Sequence, residues 1–485
     1  MLMREDGTPL AISHAEYDVQ KPAIDRAEQE PELWWTQTVK AVREAIARAG
    51  IRGEEISCIG LSGQMHGLVA LDKAGNPVCP AIIWMDQRSL QEAKRIAERA
   101  SDFIGEELLN QPSSGMLVCS LLWLKTNHPE LYAKTAAVML PKDYIRYRLT
   151  GEIGVEVSDA SASLAFSVKH RQWCSGLIER LDLNSALFPS VSESAEIAGT
   201  VCATAAAETG LSVKTRVVFG AGDAAAQLIG NGIVKEGVMS CNIGTSAQIA
   251  VSLNSLVYDE KKQLQTWCHG IAGRWYMQGG ALTGGFALKW LKKQILRDER
   301  AYSVLDSEAE RIGAGAEGLL FLPYLSGERT PVLDPLARGI YFGLSAKHTQ
   351  AHLVRATMEG VIHNLQECAL MLERLGVKKE KIISSGGAAK GRLWRQIQAD
   401  ILGMPVYTTK SEEQACLGAA ILAGTGIGIY RSVEEGCSTL VKEDSACIEP
   451  IAAHTALYRE RQDLFRRLYA QTKDLFPRLF AGTIQ

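Results

Sequence analysis

Asp223 and the run Gly244-Thr245-Ser246 are the residues of this chain best suited to chemistry. Asp223 follows the apolar run Val217-Val218-Phe219 and the small residues Gly220-Ala221-Gly222, and it opens an alanine-rich stretch. An acid at such a point is either a helix N-cap or a general base that takes a proton from a substrate hydroxyl. The two roles are compatible. Gly244-Thr245-Ser246 joins two apolar runs, 238–242 and 247–251. Glycine lets the backbone approach a phosphate closely, and the two hydroxyls add donors. An ordinary hairpin connection has the same composition. An acid at a strand end together with a phosphate-gripping turn is the equipment for phosphoryl transfer to a small molecule.

Three further groups could serve a ligand. Gly386-Gly387-Ala388 follows a strand-like run, 381–385, and precedes a helical stretch containing Trp394. Small residues there let a flat ring or a ribose lie against the backbone, although a plain tight turn needs them too. Gly284-Gly285, ahead of Trp290, is a comparable arrangement. Gln64, Met65 and His66 fall in a loop after a strand, where binding side chains concentrate. An amide and an imidazole can hydrogen-bond sugar hydroxyls, while a methionine stem covers apolar C–H faces. Trp84 with Asp86 offers a stacking surface and an acceptor. No His/Cys set has zinc spacing, and no Walker-type Gly-x-x-x-x-Gly-Lys-Ser/Thr run is present.

Strand and helix signals alternate along the chain, which predicts an α/β architecture of layered sheets. The chain opens in a hairpin around Glu5-Asp6-Gly7. Strands are expected at 56–61, 81–84, 319–325, 340–344 and 382–385. Helices are expected over 31–50, 117–125, 142–149, 281–295, 352–375, 394–402 and 455–475. In the last of these, Leu457, Leu464, Phe465, Leu468 and Leu475 define an expected packing face. A fresh meander of strands starts near 233–237, so the chain divides into 1–234 and 235–485.

With 485 residues, two or three ordinary cores can form. A net charge of −3 and the lack of a basic tract argue against nucleic acid as a partner. The longest apolar run, 319–325, is too short for a membrane span. Acids within Met1-Leu2-Met3-Arg4-Glu5-Asp6 disfavour a secretory leader. The 11 scattered cysteines, odd in number and without a Cys-x-x-Cys pair, point to reduced thiols in a cytoplasmic setting.

Several longer segments resemble the FGGY carbohydrate kinases, and among them the xylulokinase branch. Gly339-Ile340-Tyr341-Phe342-Gly343-Leu344, continued by His352-Leu353 and Ala356-Thr357-Met358-Glu359, is similar to the family's C-terminal signature at every defined position. Phe321-Leu322-Pro323-Tyr324-Leu325-Ser326-Gly327-Glu328-Arg329-Thr330-Pro331 resembles the xylulokinase segment, as does Leu140-Pro141-Lys142-Asp143-Tyr144-Ile145-Arg146 with Leu149-Thr150-Gly151-Glu152. Ser62-Gly63-Gln64-Met65-His66-Gly67 resembles that branch's sugar loop.

The resemblance implies two actin-like, ribonuclease-H-like domains with a cleft between them. Sugar would sit on the first domain and ATP, with Mg2+, on the second. It implies ATP-dependent phosphorylation of D-xylulose to D-xylulose 5-phosphate in xylose catabolism. Asp223 would be the base. Gln64, Met65, His66, Trp84 and Asp86 would face the sugar. Gly244, Thr245, Ser246, Gly285, Gly386, Gly387 and Ala388 would face the nucleotide. A homodimer is also implied. Two departures stand out. Cys119-Ser120 replace the family's Pro-Lys before Leu121-Leu122-Trp123. The family also begins with a strand and an Asp-x-Gly-Thr-Ser loop, whereas Met1-Leu2-Met3 matches partway along its second strand. The first strand and first phosphate loop are therefore expected to be missing from this sequence. A kinase for another ketose (L-xylulose, ribulose, a deoxy-ketose) and a non-catalytic sugar- or nucleotide-binding module stay open as alternatives.

Overall fold

A computed structural model describes residues 1–444 and 446–480. The opening hairpin forms, with Leu2–Met3 antiparallel to Pro9–Ala11. Pro31–Ala49 follows as the first long helix. Its proline at the first turn has no N–H to leave unsatisfied, and Gly50 ends it at φ 65°. Leu117–Asn127, Pro141–Thr150, Gln350–Arg374 and Arg392–Leu402 form where the apolar spacing predicts them.

Two expectations are corrected. The stretch 281–295 is not one helix. Ala281 ends the strand Trp275–Ala281, which pairs along its whole length with Ala247–Leu253. The helix begins only at Gly285, runs to Trp290, and continues as the wider turn Leu291–Ile295. The ladder takes Ala281, and residues 282–284 form a bend that docks on the 244–246 turn before the helix starts.

The last helix, Ala452–Thr472, keeps only part of its expected packing face, with Phe465 buried and Leu468 packed beside it. Leu464 and Leu475 are exposed, while Tyr458, Gln462 and Phe465 are buried. Hydrogen bonds explain the choice. Tyr458 Oη donates to Glu359 Oε1 at 2.6 Å and receives Arg355 Nη2 at 2.9 Å. Gln462 Nε2 donates to Glu367 Oε1 at 2.6 Å. The acids of helix Gln350–Arg374 thus select which side of the last helix turns inward.

The first half holds several short sheets. Cys58–Ile59, Arg216–Val218 and Ile197–Thr200 form one, with Arg216–Val218 in the middle. Ala221–Gly222 then runs parallel to Ser62–Gly63, with Ala221 opposite Ser62 and Gly222 opposite Gly63. The second half is organised on a six-stranded sheet. Its order is Gln265–Cys268, Trp275–Ala281, Ala247–Leu253, Gly237–Ile243, Lys379–Ser385, Val406–Tyr407. The first four are antiparallel neighbours and the last two run parallel to Gly237–Ile243.

Two large apolar cores result, and the first recruits residues from the second half. Trp267, Cys268, Ile271 and Tyr276 are buried in it, together with Leu417, Ile421 and Leu422 of helix Gln414–Gly426. That helix lies on Asp223–Gly230 with backbone against backbone. A methyl group on Gly230 would stand 1.8 Å from the Gln414 carbonyl oxygen, and one on Gly418 would stand 1.9 Å from that of Ala226. All eleven cysteines are free thiols. Among the described residues no helix is long and apolar enough to cross a membrane.

Candidate active site

The turn that carries Asp223 is built by close packing. Strand Arg216–Val218 ends, and Gly220 takes φ 80°, where a Cβ would lie 2.2 Å from the Leu61 carbonyl oxygen. Only glycine fits both conditions. Ala221–Gly222 then pairs with the start of the 62–67 loop, and helix Asp223–Gly230 begins. Gly222, not Asp223, is the capping residue, which corrects the N-cap reading. Asp223 occupies the first helical position, and its Oδ1 accepts the Ala224 N–H at 2.7 Å. An acid in the first turn is favoured by the positive end of the helix dipole. Water reaches the carboxylate, yet protein surrounds it. This burial pushes its pKa up to about 6, with the Ala224 N–H acting in the opposite direction. At neutral pH it is ionised, with a proton affinity near that of a working general base.

The 62–67 loop lies directly against this turn. Met65 is buried, and a methyl group on Gly222 would stand 2.8 Å from Met65 Cγ. The Tyr276 hydroxyl points at Met65 Sδ from 3.9 Å. His66 has φ 75°, a left-handed conformation uncommon for a residue with a Cβ. Its Nδ1 lies 2.8 Å from the Ala162 carbonyl, and its ring meets Trp267 edge-on at 5.7 Å. Burial lowers its pKa, so the ring is neutral. A carbonyl partner places the proton on Nδ1 and leaves Nε2 as an acceptor. Gln64 Nε2 donates to Gln29 Oε1 at 2.8 Å, an oxygen that also receives Trp34 Nε1 at 3.1 Å.

Trp84 and Asp86 do not act as a matched pair. The Trp84 side chain is about half exposed, at 48%. Asp86 is fully buried, and the chain's own donors fill its carboxylate. These are Ala27 N at 2.7 Å, Arg88 N at 2.9 Å and Arg88 Nε at 2.9 Å. Asp86 braces this corner and presents no spare acceptor.

The residues expected to face the nucleotide converge on the end of strand Gly237–Ile243. Ile243 pairs with Ala247, so residues 244–246 make a tight, exposed hairpin turn. The Gly284 and Gly285 amides bond the carbonyls of Thr245 and Gly244 at 2.9 and 2.8 Å. A methyl group on Gly285 would lie 2.7 Å from the Gly244 carbonyl oxygen, so glycine permits this docking. From the other side, Gly386 at φ 78° brings its Cα within reach of Asn242 and Ile243. A Cβ there would be 2.6 Å from Asn242 Oδ1 and from the Ile243 carbonyl oxygen. The 3-10 turn Gly387–Lys390 follows, with Ala388 buried. Asn242 Nδ2 in turn donates to Gln227 Oε1 at 3.2 Å, joining this corner to the helix that Asp223 opens.

Sequence reasoning missed a charged cluster beneath Asp223. Lys142, Asp143, Arg146, Glu156 and Asp159 are all buried. Lys142 Nζ lies 2.7 Å from Asp143, 3.8 Å from Asp159 and 3.9 Å from Glu156, and it also donates to the Phe219 carbonyl at 3.3 Å. The three acids face two cations, and Asp159 accepts no hydrogen bond at either oxygen. Burial raises its pKa well above the carboxylate range, opposed by Lys142. The available signal was an acid between valines, Val155-Glu156-Val157, and charges at the head of a buried helix.

Comparison with known proteins shows the family and the fold. The FGGY family of carbohydrate kinases matches through its N-terminal domain over residues 1–230 and its C-terminal domain over 239–427. A xylulose kinase of Bacillus subtilis is 34% identical over 468 residues, covering 96% of this chain and 93% of that protein. A gluconokinase of the same organism is 30% identical, with coverages of 87% and 84%. The crystal structure of a xyloylose kinase from Brucella ovis superposes with a TM-score of 0.89 at 30% identity, over 96% of this chain and 94% of that one. The two-domain actin-like, ribonuclease-H-like fold follows, and with it a sugar kinase whose substrates are a sugar and ATP. The chain belongs to the FGGY family of carbohydrate kinases.

Proposed function

We propose that this kinase transfers the γ-phosphoryl group of ATP to the 5-hydroxyl of D-xylulose, giving D-xylulose 5-phosphate and ADP in the cytoplasm. The observation that carries the reading is Asp223. Its raised carboxyl group stands at a helix start pressed against Met65 of the sugar loop. The ionised carboxylate accepts the proton of the attacking hydroxyl as the O–P bond forms, and ADP leaves with the electron pair of the broken bond. Neutral His66 offers Nε2 to a sugar hydroxyl, and Met65 covers a C–H face. Thr245 and Ser246, on an exposed turn anchored by Gly284 and Gly285, donate to phosphate oxygens. Gly386, Gly387 and Ala388 leave space for the nucleoside. Magnesium would arrive with ATP and neutralise charge on its phosphates. Among the described residues no three His, Cys, Asp or Glu side chains converge to hold a metal ion.

The similarity to xylulose kinases favours D-xylulose, and the 30% identity to a gluconokinase makes gluconate the competing substrate. A coupled ADP-release assay with D-xylulose, L-xylulose, D-ribulose and gluconate decides the matter by kcat/KM. D-xylulose is expected to lead by at least about tenfold, a difference of about 1.4 kcal/mol. A higher kcat/KM for gluconate would replace the reading.

A further inference from the structure

We infer that Glu156, acting through Ser158 and Ser194, positions Asp223 for proton transfer. The inference rests on the reading of Asp223 as the base. Glu156 is wholly buried and its carboxylate is fully engaged. Oε1 accepts Ser158 Oγ at 2.8 Å and Asp159 N at 2.8 Å. Oε2 accepts Ser158 N at 2.8 Å and Ser194 Oγ at 2.7 Å. Both serines then hold the backbone that leads into Asp223. Ser158 Oγ receives the Gly222 N–H at 3.0 Å, and the Ser194 carbonyl receives that of Gly220 at 2.9 Å. Lys142, 3.9 Å from Glu156, holds the Phe219 carbonyl in the same turn.

The turn 219–222 is therefore held at three of its four residues by this cluster. Neutralising Lys142 would need only a carboxylate nearby. It does not need a serine hydroxyl aimed at the Gly222 amide, or a second serine tying the backbone that receives the Gly220 amide to the same carboxylate. Gly220 and Gly222 carry no side chain, so these hydrogen bonds act together with the close backbone packing and the pairing to Ser62–Gly63 to set where the turn lies. Asp223 follows directly, and its carboxylate moves with Gly222. A displacement of about 1 Å at a reacting group can cost about a hundredfold in rate.

The test uses the full chain with Ser158→Ala, Ser158→Thr and Ser194→Ala, read as kcat and as KM for sugar and for ATP. Thermal melts establish that each variant is folded. Ser158→Ala is expected to lower kcat about tenfold or more with both KM values within about twofold. Ser158→Thr keeps the hydroxyl and is expected to recover most of the loss. Ser194→Ala, which leaves every backbone bond in place, is expected to lower kcat less. A folded Ser158→Ala with parental kcat would overturn the inference, as would a loss carried by KM or a folded Ser158→Thr no better than the alanine variant. Asp223→Asn separates the two readings. If it keeps its turnover, the base assignment falls. If it is inactive while Ser158→Ala is unchanged, only the positioning role falls.

Discussion

Asp223 owes its usefulness to two opposed influences on one carboxyl group. Burial raises its pKa to about 6, and the helix start with the Ala224 amide limits the rise. The base must be ionised, so kcat/KM for the sugar is expected to climb with pH, level off above about 6, and fall about tenfold per unit below it. A pH–rate profile measures this, and a limb centred near the ordinary aspartate value would contradict the burial. Asp223→Asn is expected to lower kcat by about two to four powers of ten while ATP binding, followed by calorimetry, persists. Burial acts on His66 in the opposite direction, lowering its pKa, because both the carboxylate and the imidazolium lose solvation there.

At the scale of elements, the 244–246 turn, proposed to hold phosphate, is shaped by what is absent from its neighbours. Gly284 and Gly285 lie so close to residues 244–246 that one methyl group must displace the turn. Gly285→Ala is accordingly expected to raise KM for ATP about tenfold or more and to leave KM for the sugar nearly unchanged, as steady-state kinetics would register. The last helix is held by polar bonds as well as by its apolar side. Tyr458→Phe removes the bonds to Glu359 and Arg355, and is expected to cost about 1–3 kcal/mol in urea unfolding. Both features bear on how far the sequence could be read. Helix 350–374 and the hairpin around 244–246 were legible because apolar spacing and turn residues fix such elements locally. The inward face of the last helix was not, because Glu359 and Glu367 choose it from about a hundred residues away. The same holds for Glu156. Ser158 is local to it, but Ser194 lies 38 residues away and the Gly222 amide that Ser158 receives lies 64 residues beyond Ser158. Asp86 shows the reverse error, since an acid after a strand looks available until Ala27 and Arg88 are seen to occupy it.

For the molecule as a whole, the second half has a core of its own, but the first half shares its core with second-half residues. Trp267, Cys268 and Tyr276 are buried among first-half residues, and Cys268 N donates to Ser161 Oγ at 3.1 Å. Residues 1–234 expressed alone are therefore expected to expose the apolar surface these side chains cover. They should bind a hydrophobic dye and melt without a sharp transition, as fluorescence and circular dichroism would report. The helix pair Asp223–Gly230 and Gln414–Gly426 also crosses between the halves, and Gly418→Ala is expected to destabilise it by about 1–3 kcal/mol. That crossing has a consequence for sequence variation. Its spacing is set by peptide groups touching peptide groups, so there is no neighbouring side chain to trim in compensation. In a saturation library scored for growth on the sugar, positions 230 and 418 should tolerate glycine alone, and suppressor searches should return true revertants.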